Sequence, residues 1–160
     1  MGPLGDAPMS RGPAADPRAY AVTLWLLAAL FFLRVLGQGL VAFFHVEWLP
    51  AMGEWSSGLL PYPLLLPAQI LILAVMLKVG LDFSRGAGWS VVPRPKLAPW
   101  LVGFSAAYFA VMAIRYVLTM ALHPERRWLG TGTIPIVFHW VLAGYLLTLG
   151  RFHATPRVPR

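Results

Sequence analysis

Four long apolar runs, at about residues 20–46, 62–81, 97–122 and 131–150, dominate this chain and restrict what it can fold into. A helix of about 20 residues crosses a hydrocarbon core of roughly 30 Å. Inside hydrocarbon, each backbone N–H and C=O must find its partner within the protein, which a helix provides within its own segment. The pattern predicts an all-α, polytopic membrane protein: a four-helix transmembrane bundle. Composition agrees, because 58% of the 160 residues are hydrophobic and only 12% charged, whereas a soluble domain carries roughly 25% charged residues.

The rest of the chain divides around these runs. Residues 1–18 form a Pro, Gly and Ala-rich leader without apolar periodicity, expected to be a flexible tail. Residues 19–151 form the membrane domain, and 152–160 a short basic tail. A cleaved signal peptide does not fit the first run, because hydrophobicity resumes after Arg34 and no small-x-small cleavage site follows.

Lys and Arg cluster before the first run (Arg11, Arg18), between the second and third (Lys78, Arg85, Arg94, Lys96) and after the fourth (Arg151, Arg157, Arg160). Under the positive-inside rule these regions share the cytoplasmic side, which places both termini there, in a cytoplasmic (inner) membrane. Trp48, Trp55, Tyr62, Trp89, Trp100 and Trp128 flank the runs, where amphipathic rings prefer the headgroup level. The mixed basic and aromatic segment 81–99 is expected to lie along an anionic leaflet or as a solvated loop. The net charge of +7 is therefore read as topology, and no nucleic-acid partner is expected. With no cysteine in the chain, disulfides, thiolate metal sites and cysteine nucleophiles are excluded.

Function is sought where polar groups interrupt the apolar runs. Arg34 and Arg115 lie well inside them, with no acidic residue at their depth. Charge in a bilayer costs roughly 2.5–3.5 kcal/mol on insertion scales, so it faces a partner, a cavity or a ligand. Gln38, Gln69 and His139 fall in nearly the same layer, each on the most polar or small-residue face of its helix. Two guanidinium groups supply about ten N–H donors and no acceptor, leaving a deficit of negative charge. Glu47 or Glu54 folding inward would supply it and make the layer purely architectural. An anionic lipid head or an acidic partner chain would supply it equally well, and the planar fork of arginine suits carboxylate or phosphate.

The histidines offer another reading. His139 and His153 are fourteen residues apart on nearly one helical face, a spacing seen in two-haem b-type cytochromes. No histidine opposes either at equal depth, and the matched pair by depth is His45 with His123, near the surface. No H-E-x-x-H, phosphate-binding glycine loop or G-x-S-x-G elbow is present. The expectation is a small, non-enzymatic membrane protein without a cofactor, which binds an anionic amphiphile or serves as an accessory subunit. Arg34, Gln38, Gln69, Arg115 and His139 are the ligand-binding residues, and membrane lipids, other membrane subunits or a second copy the partners. The alternative is a lipid-modifying or haem-b enzyme with a His139-centred site, with His45 and His123 as axial ligands.

Overall fold

The structure, a computed structural model, describes residues 16–55, 61–122 and 133–155. The leader as far as residue 15, the tail from residue 156, His123 and Trp128 lie outside the described residues. Within them the chain forms α1 (Pro17–Phe44), the single turn α2 (Met52–Trp55), α3 (Tyr62–Arg85), a 3-10 turn (Trp89–Val91), α4 (Ala98–Leu122) and α5 (Thr133–His153). Helices α1, α3, α4 and α5 are all long and apolar enough to cross a membrane.

Local sequence explains the helix ends. Asp16 caps α1 by accepting the Arg18 N–H at 3.0 Å, and Pro17 sits at the first helical position. There its missing N–H costs nothing and its φ is already helical. The helix therefore starts three residues before the apolar run does. At the other end, His45 adopts a left-handed conformation (φ 50°) that stops the helix. Gly86 (φ 64°) ends α3 in the same way, and the following N–H groups turn back to Phe83 and Asp82 carbonyls. Helix α3 runs through Pro67 without interruption.

Helices α1 and α5 form the centre, with α3 packed on α1 and α4 packed on α5. Among the described residues, α3 and α4 have no packing of comparable extent. The buried face of α1, Ala21, Leu24, Ala28, Phe31, Val35 and Gln38, repeats at alternating steps of three and four, the spacing of a helix that meets its neighbours along one seam. Met76, Val79 and Phe83 of α3 and Val141, Tyr145 and Phe152 of α5 complete this core. Buried hydrogen bonds fasten the helices. The Tyr145 hydroxyl of α5 donates to the Met76 carbonyl of α3 at 2.7 Å, and the Ser105 hydroxyl of α4 to the Ala143 carbonyl of α5 at 2.7 Å. Gly150 allows α5 to approach the backbone of α4 at Val102.

The outer surface is as apolar as the core. Val22, Leu26, Leu33, Leu71, Phe104, Val117 and Leu122 are all exposed. In α4 only 6% of the most apolar stretch is buried by the protein itself. Contiguous apolar surface on this scale is unfavourable in water and suits hydrocarbon.

Candidate functional site

The site is built from α1 upward. Arg34 and Gln38 are four residues apart, one turn on the same face, and both are buried, with Gln38 fully enclosed. Arg34 Nη1 donates to Gln38 Oε1 at 3.3 Å, and Gln69 of α3 donates through Nε2 to the same oxygen at 3.0 Å. Since arginine can only donate, Gln38 must turn its carbonyl oxygen toward it, which fixes the orientation of both amides. The consequence is a chain of polarity running from Arg34 and from Gln69 into one acceptor.

The second partner of the guanidinium comes from the first connection. Arg34 Nη2 donates to the backbone carbonyl of Trp55 at 3.1 Å. Trp55 is itself buried, its indole N–H donating to the Pro50 carbonyl at 2.8 Å. Its ring lies on the bare backbone of Gly37, so that a Cβ added there would meet the ring at 2.5 Å. Glycine at 37 is what lets the connection fold down to Arg34. Sequence reasoning places Trp55 at the membrane border with Trp48. The structure leaves Trp48 79% exposed but buries Trp55 as a plug over the arginine. A glycine about two turns below an aromatic-rich connection is the available signal, and it is weak.

One face of Arg34 remains for something else. The Phe138 ring of α5 lies 5.6 Å from the guanidinium carbon. Arg34 Nε is buried without a hydrogen-bond partner, as are Gln69 Oε1 and Gln38 Nε2. Arg34 and Gln69, with Tyr108, Phe138 and His139, line a cavity of about 140 Å³. His139 bonds through Nδ1 to the Pro135 carbonyl in its own helix, and its ring meets Tyr108 edge-on with centroids 5.5 Å apart.

This small cavity lies beside a larger apolar one. Ile72, Tyr108 and Leu142 line both. The larger cavity, about 490 Å³, lies between α3 and α4 over α5, walled by residues such as Val75, Val79, Phe104 and Leu146. It occupies the gap left because α3 and α4 do not pack together. A volume of several hundred Å³ is typical of ligand sites.

Not every expected residue converges here. Arg115 lies half-buried among Val111, Ile114, Leu118, Thr119 and Leu122 of its own helix and does not line the Arg34 cavity, and its guanidinium makes no hydrogen bond or ion pair to a described residue. Of the suggested counter-charges, Glu47 is exposed, and the side chain of Glu54 is outside the described residues. No carboxylate among the described side chains pairs with Arg34. His45 is exposed at the end of α1. Among the described residues no group of three or more His, Cys, Asp or Glu converges to hold a metal ion. Chemically, the arrangement can hold a hydrogen-bonding anion beside an apolar chain.

A second polar cluster lies at the opposite end of the bundle, centred on Asp82, which sequence reasoning does not single out. Buried Asp82 of α3 accepts from Lys78 Nζ at 2.6 Å on both oxygens and from the Ser90 hydroxyl at 2.9 Å. Gly88 (φ 125°) passes directly against its carboxyl group. Trp89 carries the cations of Lys78 and Arg94 near its ring, at 5.9 and 5.5 Å. The connection after α3 is thus tied to the bundle through Asp82. Comparison with protein-family models, curated proteins and solved structures finds no match for this chain.

Proposed function

We propose that the protein is an integral membrane protein, with both termini on the cytoplasmic side, that binds an anionic amphiphile. The negative head lies against Arg34 and the apolar chain lies in the groove between α3 and α4. One observation carries the reading: a buried arginine with an unpartnered N–H lines a cavity that also holds Gln69 and His139 and shares three lining residues with a larger apolar one. An unpaired cation costs less in a membrane interior when an anion accompanies it. A groove of about 490 Å³ gives that anion's hydrocarbon chain a place to pack against the protein, where van der Waals contact replaces contact with lipid tails. The cytoplasmic placement of the termini rests on the Lys and Arg distribution around the four apolar helices. In this reading the protein is a binder without catalytic chemistry of its own. Gln38 and Trp55 position Arg34, whereas Gln69 and His139 face the head.

Native mass spectrometry in mild detergent tests it, with phosphatidylglycerol and phosphatidylcholine of equal chain length as probes. The native protein is expected to retain phosphatidylglycerol preferentially. Arg34→Met should lose that preference, Arg34→Lys should keep part of it, and Arg115→Leu should reduce it less than Arg34→Met does. Equal retention of phosphatidylglycerol by the native protein and a folded Arg34→Met variant would reject the reading.

A further inference from the structure

Among the residues that line the cavity, the unpartnered atoms are not all donors. Arg34 Nε offers an N–H, but Gln69 Oε1 is an acceptor, buried at 4% exposure and equally without a partner. Its direction is imposed. The carbonyl of Gln38 accepts from both Arg34 and Gln69 Nε2, so the oxygen of Gln69 is the atom left over. Rotating the Gln69 amide would set two oxygens against each other. His139 adds a second acceptor by the same logic. The Pro135 carbonyl can only accept, so Nδ1 carries the hydrogen and, in the neutral ring, Nε2 holds a lone pair. Beside the Tyr108 hydroxyl, which can donate or accept, the lining residues therefore bring one cationic donor and two neutral acceptors. A plain carboxylate or a phosphodiester lacking hydroxyls would satisfy Arg34 and leave Gln69 Oε1 orphaned.

We infer that the head recognised at this site brings hydrogen-bond donors as well as negative charge: a phosphodiester bearing free hydroxyl groups. This inference rests on the proposal that an anionic amphiphile occupies the cavity. The phosphate sits at Arg34 and a hydroxyl donates to Gln69 Oε1. Burying a polar group without its partner is costly, which makes the presence of the hydroxyl discriminating.

The test compares phosphatidylglycerol with phosphatidylmethanol of identical acyl chains. Both carry a single negative charge on a phosphodiester, but only the first has free hydroxyls. With phosphatidylcholine as the reference, the native protein is expected to bind phosphatidylglycerol about tenfold or more tightly than phosphatidylmethanol. Gln69→Met should bring the two anionic lipids to similar affinities by weakening phosphatidylglycerol alone. Equal binding of the two anionic lipids by the native protein would overturn the inference while leaving the anion site intact. A preference that survives Gln69→Met would overturn the assignment of the acceptor to Gln69. If neither anionic lipid exceeds phosphatidylcholine, the proposed function itself fails. The comparison on the native protein needs no variant, so it stands even where Gln69→Met folds poorly.

Discussion

Replacing Gln38 by glutamate would place inside the protein the negative charge that the proposed ligand would bring. The substitution changes one NH₂ group to oxygen, and the NH₂ lost is Gln38 Nε2, which has no partner. The remaining oxygen keeps its donors, Arg34 Nη1 at 3.3 Å and Gln69 Nε2 at 3.0 Å. A unit charge pair at 3.3 Å is worth about 5 kcal/mol at an effective dielectric of about 20. Burying the carboxylate costs several kcal/mol in return, so the stability of the fold should change by no more than about 2 kcal/mol. Binding should change far more. An anion held at Arg34 Nε would stand on the order of 6 Å from the new carboxylate, across the guanidinium, where like charges repel by about 3 kcal/mol. That is a loss of about a hundredfold in affinity. Titration with phosphatidylglycerol, followed by native mass spectrometry, reads the affinity, and thermal unfolding in the same detergent reads the fold. A Gln38→Glu protein that unfolds like the native one but binds the anionic lipid within threefold of it would refute the electrostatic argument.

Two further outcomes concern the scaffold that holds the site. At Gly150 a Cβ would stand 2.8 Å from Val102 Cγ2 and 3.1 Å from the Val102 backbone nitrogen. Gly150→Ala should therefore force α4 away from α5 and lower stability by about 1–3 kcal/mol, seen as a lower unfolding temperature. Adding Val102→Ala should restore only part of the loss, because the backbone contact remains. Asp82→Ala removes the acceptor shared by Lys78 and Ser90. It should release the connection after α3, so that amides 87–91 exchange hydrogen faster while those in the middle of α1 do not. Unchanged exchange there would show that Asp82 does not hold the connection.

Much of the architecture is legible in the residues. Apolar runs of about 20 residues announce four helices, and Asp16 followed by Pro17 marks where the first begins. The four-residue spacing of Arg34 and Gln38 by itself puts them on one helix face, and their hydrogen bond follows from it. Arg115 shows where this reasoning stops. Its face of α4 is marked by Tyr108 and Thr119, which suggests an inward stripe, yet Tyr108 lines the Arg34 cavity and Arg115 lines a separate one. Apolar residues surround α4 on every side, so its own periodicity does not select the inward face. Asp82 is equally silent, since nothing in its spacing from Ser90 implies that the chain turns back at Gly86 and Gly88.

Helical periodicity is a local property: it assigns each side chain an angle about its own axis, and the sequence alone settles that much, together with the number of helices and the apolar character of their surfaces. How those axes are arranged depends on which small residues let backbones meet and on which connection folds inward. Tertiary packing alone sets α1 and α5 at the centre, leaves the gap between α3 and α4, and buries Trp55 on Gly37 so that its carbonyl reaches Arg34. The cavity belongs to that second level, because it is made of space between helices, and no single helix contains it.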